Sequence, residues 1–290
     1  MGMCSAGIVL FVIGAVAGRK EIARAQGLDK IVALGNLSFA LPLAVFGALH
    51  LFGTRLVVDI VPEYMPWRLF WAYFVGVALI AASVSIAINT WVRWSGLLFG
   101  IMMILFVAMI HFPGALSDPH DRFIWTIVLR ELSFGGAGLL LAGHAMRGST
   151  GRLKSVLVIV GSGLVTLTMV FFAVEHFLHP LGLPGVPLRK EMPAWVPMRA
   201  LIDYVTGAAL LVTAGSVVLS LGVRTVGACL GAWILLTVLV IYGPFLIESL
   251  IQPDIGTKVQ GINYFADTLL FAGVILALAK AAPRAHRPGR

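Results

Sequence analysis

Residues 66–113 lie on residues 197–244 without a gap, at an offset of 131. The matches are Pro66/Pro197, Arg68/Arg199, Tyr73/Tyr204, Gly76/Gly207, Ala78/Ala209, Leu79/Leu210, Ser85/Ser216, Val92/Val223, Arg93/Arg224, Gly96/Gly227, Gly100/Gly231, Leu105/Leu236, Val107/Val238, Ile110/Ile241 and Pro113/Pro244, 15 identities in 48 positions. An apolar bias accounts for some Leu and Val pairs, but not for the Pro, Arg, Tyr and Gly ones. Upstream, Phe46-x-x-x-His50 falls on Phe172-x-x-x-His176 at an offset of 126, so the second copy has five extra residues in the intervening loop. Such self-similarity is the mark of a tandem duplication.

The unit that repeats is built for lipid. Hydrophobic residues make up 59% of the 290-residue chain and charged residues 12%, with mean hydropathy +0.98; a water-soluble domain has about 25% charge. A hydrocarbon core about 30 Å thick takes roughly 20 apolar residues as helix. Eight runs approach or exceed that length, at 31–52, 68–89, 94–112, 124–145, 153–178, 199–221, 225–247 and 262–280. A shorter run at 3–18 has no basic residue before it, whereas Arg19 and Lys20 follow it. It is expected to be an anchor helix with its N-terminus outside, not a cleaved signal. The expected fold is an all-α integral membrane protein: anchor and cytoplasmic linker over 1–30, a four-helix unit over 31–147, and a second over 148–290 ending in a basic tail. Gly96-x-x-x-Gly100 and Gly227-x-x-x-Gly231 suit close helix contact in such a protein.

The formal charge of +8 raises the question of nucleic acid, but the basic residues sit at the ends of apolar runs. That placement fits orientation by the insertion machinery. With residues 19–30 inside, thirteen Lys and Arg fall on inner segments and seven on outer segments or helix starts, Arg130 being within a helix. The C-terminus is therefore expected in the cytoplasm. With four spans per unit, both units would share one polarity, a parallel repeat. Cys4 and Cys229 fit no CxxC or zinc spacing.

The ionisable groups are unevenly placed along the spans. His50 lies 20 residues beyond Lys30, about 30 Å at roughly 1.5 Å per residue. His111 lies 18 residues beyond Arg93, and Glu175 and His176 lie 21 and 22 beyond Lys154. Tyr73 opens the second run, and Asp203 with Tyr204 opens the sixth. Arg130 and Glu131 come two turns into the fourth run, Asp267 has a similar place in the eighth, and Tyr242 and Glu248 finish the seventh. Almost all fall in the outer half; His144 is the exception. Charge at membrane depth is costly and usually faces a cavity or another charge, so an outward-opening polar chamber is expected. The plainer reading is a set of separate interfacial residues.

Arg130, Glu131, Glu175 and His176 are the candidate reactive groups, and His50, His111, Tyr73, Asp203 and Tyr204 the candidate ligand-binding ones. Adjacent helical residues point about 100° apart and satisfy one another poorly, so Arg130 and Glu131 are each expected to find a partner elsewhere. Glu175 beside His176 places a carboxylate next to an imidazole, which could move protons near neutral pH; the alternative is an interhelical hydrogen bond that staples the bundle. The copies differ here: Leu49 stands for Glu175, Ala72 for Asp203 and His111 for Tyr242. His50 and His111 are groups that ligate haem, yet nothing in their spacing demands it. No metal site is expected. Phosphate loops, GxSxG elbows, HExxH and dinucleotide fingerprints are absent.

Phe46-Gly-Ala-Leu-His50, Val61-Pro-Glu-Tyr-Met-Pro-Trp67, Tyr73-x-x-Gly76 and Pro119-His-Asp-Arg122 followed by Leu129-Arg-Glu-Leu132 resemble the DoxX family of four-helix membrane proteins. The second half resembles it again at Phe172-Ala-Val-Glu-His-Phe177, Met192-Pro-Ala-Trp-Val-Pro197 and Tyr204-x-x-Gly207. Leu49 departs from the pattern in the first half, and the second half lacks the His-Asp-Arg segment. The resemblance implies a quinone-linked or redox-partner role in a bacterial-type inner (plasma) membrane, and supplies no catalytic residues. Two functions follow as expectations: a redox-associated subunit binding quinone or another lipophilic acceptor, or a non-enzymatic scaffold or carrier of a small lipophilic molecule.

Overall fold

A computed structural model of the chain describes residues 2–146, 148 and 151–283. Arg147 and the basic tail from Arg284 onward lie outside them. Among the described residues the regular structure is helical, apart from one isolated antiparallel bridge between Gly182 and Glu191. The helices are α1 (Gly2–Arg24), α2 (Asp29–Ala33), α3 (Gly35–Phe52), α4 (Thr54–Val57), α5 (Arg68–Ala87), α6 (Val92–Phe106), α7 (Phe112–Ser117), α8 (Arg122–Ala145), α9 (Arg152–Leu178), α10 (Arg199–Val218), α11 (Val223–Thr237), α12 (Gly243–Ile251) and α13 (Ile255–Ala281).

Among the described residues, eight stretches are long and apolar enough to cross a membrane: Asp29–Phe52, Arg68–Ala87, Val92–Ser117, Arg122–Ala145, Arg152–Leu178, Arg199–Val218, Val223–Ile251 and Ile255–Ala281. This is an all-α multi-pass membrane protein. Lipid offers backbone groups no partners, so each apolar run must close its own hydrogen bonds as helix.

The third and seventh stretches run further than their apolar content alone predicts, and each does so through a π-helical turn, Val107–His111 and Val238–Tyr242. A proline follows each turn, Pro113 and Pro244, inside the first turn of the continuing helix. Proline has no N–H for the carbonyl one turn back. The wider π turn lets the helix continue past that gap, and the Tyr64 hydroxyl donates to the Met109 carbonyl at 3.4 Å. The two matched sequence stretches have corresponding helix bounds at the offset of 131. Their left-handed residues also coincide: Trp67 with Met198, Asn89 with Ser220, and Trp91 with Gly222.

Neighbouring spans pack in chain order, α3 on α5, α5 on α6, α6 on α8, α8 on α9, α9 on α10, α10 on α11 and α11 on α13, and α13 returns to α3. The ring is drawn together across its middle by α8 against α13. Accordingly α13 has 83% of its apolar window buried, against 28% for the outward-lying third span. The halves therefore interlock along α8–α9 and α3–α13. One core cluster joins Phe39, which meets the Phe99 ring edge-on at 5.4 Å, with Phe172 and Phe271, 5.3 Å apart. Helices in lipid associate by close packing more than by hydrophobic drive. At the α6–α8 contact a Cβ on Gly138 would lie 2.7 Å from the Gly96 carbonyl oxygen, so neither position tolerates a side chain. Outside the ring α1 lies along α3 and α5, with Gly14 against Leu37 and Ala87.

Lys30, Arg93, Lys154, Arg224 and Lys280 mark one end of the bundle, the basic end. Loops 53–67, 118–121, 179–198 and 252–254 form the other, the loop end.

Candidate functional site

The polar groups of the loop end form three linked clusters. In the first, α9 carries His176 near its C-terminus and α10 carries Asp203 in its second turn. The His176 Nδ1 lies 3.0 Å from Asp203 Oδ1, with both side chains wholly buried. The Gly185 N–H and carbonyl oxygen both lie against His176 Nε2, at 3.2 Å and 3.3 Å.

Gly185 belongs to six consecutive buried residues, Leu183 to Leu188, which have no regular structure and are inserted between the helices. Gly185 has φ +97, where a side chain is strained, and a Cβ there would sit 3.2 Å from Thr268 Cγ2 and 3.4 Å from Ile234 Cδ1. The Tyr242 hydroxyl, at the end of the second π turn, donates to the Pro184 carbonyl at 2.8 Å. Irregular backbone at membrane depth is tolerated only where protein or trapped water meets its polar groups; here His176 and Tyr242 do so. The insert lies within the loop that is five residues longer than its counterpart. Its run Leu-Pro-Gly-Val-Pro-Leu, too apolar for an exposed turn, was the other signal in the sequence.

The second cluster is centred on Arg130. One guanidinium nitrogen lies 2.8 Å from Glu131 Oε1 and another 2.6 Å from Asp267 Oδ2 on α13. The three side chains are mostly buried, at 16%, 12% and 6% exposure. Arg130 finds the expected partner on another helix in Asp267, but it also bonds the adjacent Glu131, which the divergence of neighbouring side chains argued against. The long arginine stem turns back far enough to reach its neighbour and still spans to α13. Asp267, not among the sequence candidates, is thus the residue that ties the two halves together at this depth.

Glu175 and His176 do not face one another; each makes an interhelical contact, the alternative reading of this pair. About 100° of helix rotation sends Glu175 toward α8, where Arg122 Nη1 lies 2.5 Å from its Oε2, while His176 turns to Asp203. The adjacent Asp121 caps α8 through the Phe123 N–H and pairs with Arg189, so the loop that holds the insert is tied down beside this ion pair.

The third cluster lies in the first half. His50 on α3 and His111, at the end of the first π turn, are both half-buried. Glu131 lies within electrostatic reach of both. The His50 Nδ1 is engaged by the Phe46 carbonyl at 2.8 Å, which leaves Nε2 as its outward atom. Here Ala72 stands where Asp203 does in the other half, packed with Leu49 and Val57. Tyr73 and Tyr204 do not join any cluster. They are 44% and 43% exposed on the lipid-facing side, Tyr204 stacking on Phe177, because residue 73 points about 100° away from Ala72, as does Tyr204 from Asp203.

Among the described residues, no His, Cys, Asp and Glu grouping is arranged to hold a metal ion. The candidate site therefore runs from His50 and His111 through Glu131, Arg130 and Asp267 toward Tyr242, Asp203 and His176, with the second half filled by the chain's own loop. No family model matches the chain, and no curated protein or solved structure does.

Proposed function

We propose that this membrane protein receives the head group of a lipophilic redox molecule, a quinone by class, at His50, His111 and Glu131, with the loop end facing outward from a bacterial-type inner membrane. The observation that carries this reading is the placing of His50 and His111 around the buried Arg130–Glu131 pair. Two half-buried imidazoles from different helices lie toward the loop end, each within electrostatic range of Glu131. Quinone carbonyls need hydrogen-bond donors, and imidazoles and carboxylates exchange protons near neutral pH. A π turn ending in His111 is a further support, since such turns occur frequently at functional sites. Arg130 bonds Glu131 at 2.8 Å and holds it in place. The resemblance to the DoxX family supports the same class of ligand and a redox partner protein, and leaves open whether this chain is itself an enzyme.

The test uses the full chain purified in mild detergent. Organic extraction should recover quinone from it, and a short-tailed quinone should quench its tryptophan fluorescence saturably. Both His111→Ala and Glu131→Gln should weaken binding by about tenfold, the effect of losing roughly 1.4 kcal/mol, while Arg55→Ala leaves it unchanged. Empty protein that quenches only in proportion to added quinone overturns the reading and favours a scaffold or a carrier of another lipophilic molecule.

A further inference from the structure

The basic end of the bundle holds a second set of groups that the loop-end site does not use. A cleft of about 1530 Å³ opens there between the end of α1, α2 and the ends of α11 and α13. A smaller one of about 300 Å³ lies beside it, and the two share Asn36, Asn89, His144 and Lys280. The larger volume exceeds that of small-molecule pockets, which run to roughly 1,000 Å³.

Its walls are of two kinds. One is apolar, from Ile22, Val32, Ala33 and Leu37. The other is cationic. Arg224 is held by Asp29 at 2.8 Å, and the Lys280 ammonium by Glu21 at 3.0 Å and by Asn36 at 3.3 Å. These pairings leave Lys20 and Arg24, both exposed at the rim, with no acidic partner among the described residues. Arg93 lines the smaller cleft. The two clefts together thus present five cations, Lys20, Arg24, Arg93, Arg224 and Lys280, against two carboxylates, Glu21 and Asp29.

We infer that this cleft binds a phosphate-bearing anion, and that the source is an anionic phospholipid whose head group meets Lys20 and Arg24 while its chain lies against the apolar wall. Basic pockets between spans are sites for such head groups. The apolar wall and the membrane-boundary position favour the lipid over free phosphate, which has no use for either.

The experiment is native mass spectrometry of the full chain released from detergent after incubation with phosphatidylglycerol or phosphatidylcholine, with a parallel calorimetric titration of inorganic phosphate. Phosphatidylglycerol should give persistent adducts and phosphatidylcholine few. The double variant Lys20→Ala/Arg24→Ala, both at exposed positions, should weaken phosphatidylglycerol binding about tenfold or more. Inorganic phosphate binding with the same sensitivity, and no preference for phosphatidylglycerol, would keep the anion site and identify its source as free phosphate. Equal retention of both lipids without phosphate binding, or phosphatidylglycerol binding that the double variant does not change, overturns the inference.

Discussion

Replacing Arg130 by methionine tests the centre of the loop-end site most directly. The guanidinium makes charge-assisted contacts of 2.6 Å to Asp267 and 2.8 Å to Glu131, and all three side chains are at most 16% exposed. Methionine matches the stem and removes the cation, leaving two carboxylates in a poorly solvated place. Breaking a buried pair by deleting one partner costs about 3–5 kcal/mol. Asp267→Asn is milder, because it keeps an acceptor and Arg130 keeps Glu131. It loses one charge-assisted bond, worth about 1.5–3 kcal/mol. Thermal unfolding in detergent, followed by tryptophan fluorescence, should drop by about 6–20 °C for Arg130→Met at roughly 2–4 °C per kcal/mol, and by about half that for Asp267→Asn. Arg130→Met combined with Asp267→Leu should be less damaging than the sum of its singles, with a coupling of at least about 1 kcal/mol. A melting point for Arg130→Met within about 2 °C of the parent, or strictly additive singles, would refute the reasoning.

Three other predictions follow from single contacts. Gly185→Ala forces a side chain onto φ +97 and against Thr268; it should cost about 1–2 kcal/mol and speed protease cleavage within 183–188, and an unchanged melting point would remove the insert from any structural role. Gly138→Leu cannot be accommodated 2.7 Å from the Gly96 carbonyl and should cost about 1–3 kcal/mol or more, read as a lower melting point and a broadened gel-filtration peak. At the exposed start of α13, Asp254 accepts from the Thr257 N–H at 2.7 Å and from its hydroxyl at 2.9 Å. The Thr257 bonds hold the Asp254 carboxyl below its ordinary value. Its capping is therefore complete above about pH 4, the unfolded value, and is lost as pH falls through the lower folded value. Amide exchange at residues 255–258 should accelerate below that point, and Asp254→Ala should abolish the pH dependence.

The sequence by itself determined where the chain crosses lipid and at which level its polar groups lie. Both are one-dimensional properties: a fixed hydrocarbon thickness selects runs of roughly 20 apolar residues, and a fixed helical rise converts residue separation into depth. Hence the eight spans, and the grouping of His50, His111, Arg130, Glu131 and His176 toward one end, were legible before any coordinates. Which group faces which was not. Adjacent residues diverge by about 100°, and apolar runs carry little periodicity to say which face meets a neighbour. The pairing of Glu175 with Arg122, of His176 with Asp203 and of Arg130 with Asp267 across a separation of 137 residues was therefore decided by how the helices pack. So was the burial of Leu183 to Leu188, which fills one half of the loop end. In lipid a side chain gains little by leaving its solvent, so partner choice rests on close fit and on polar groups finding one another, and both exist only in three dimensions.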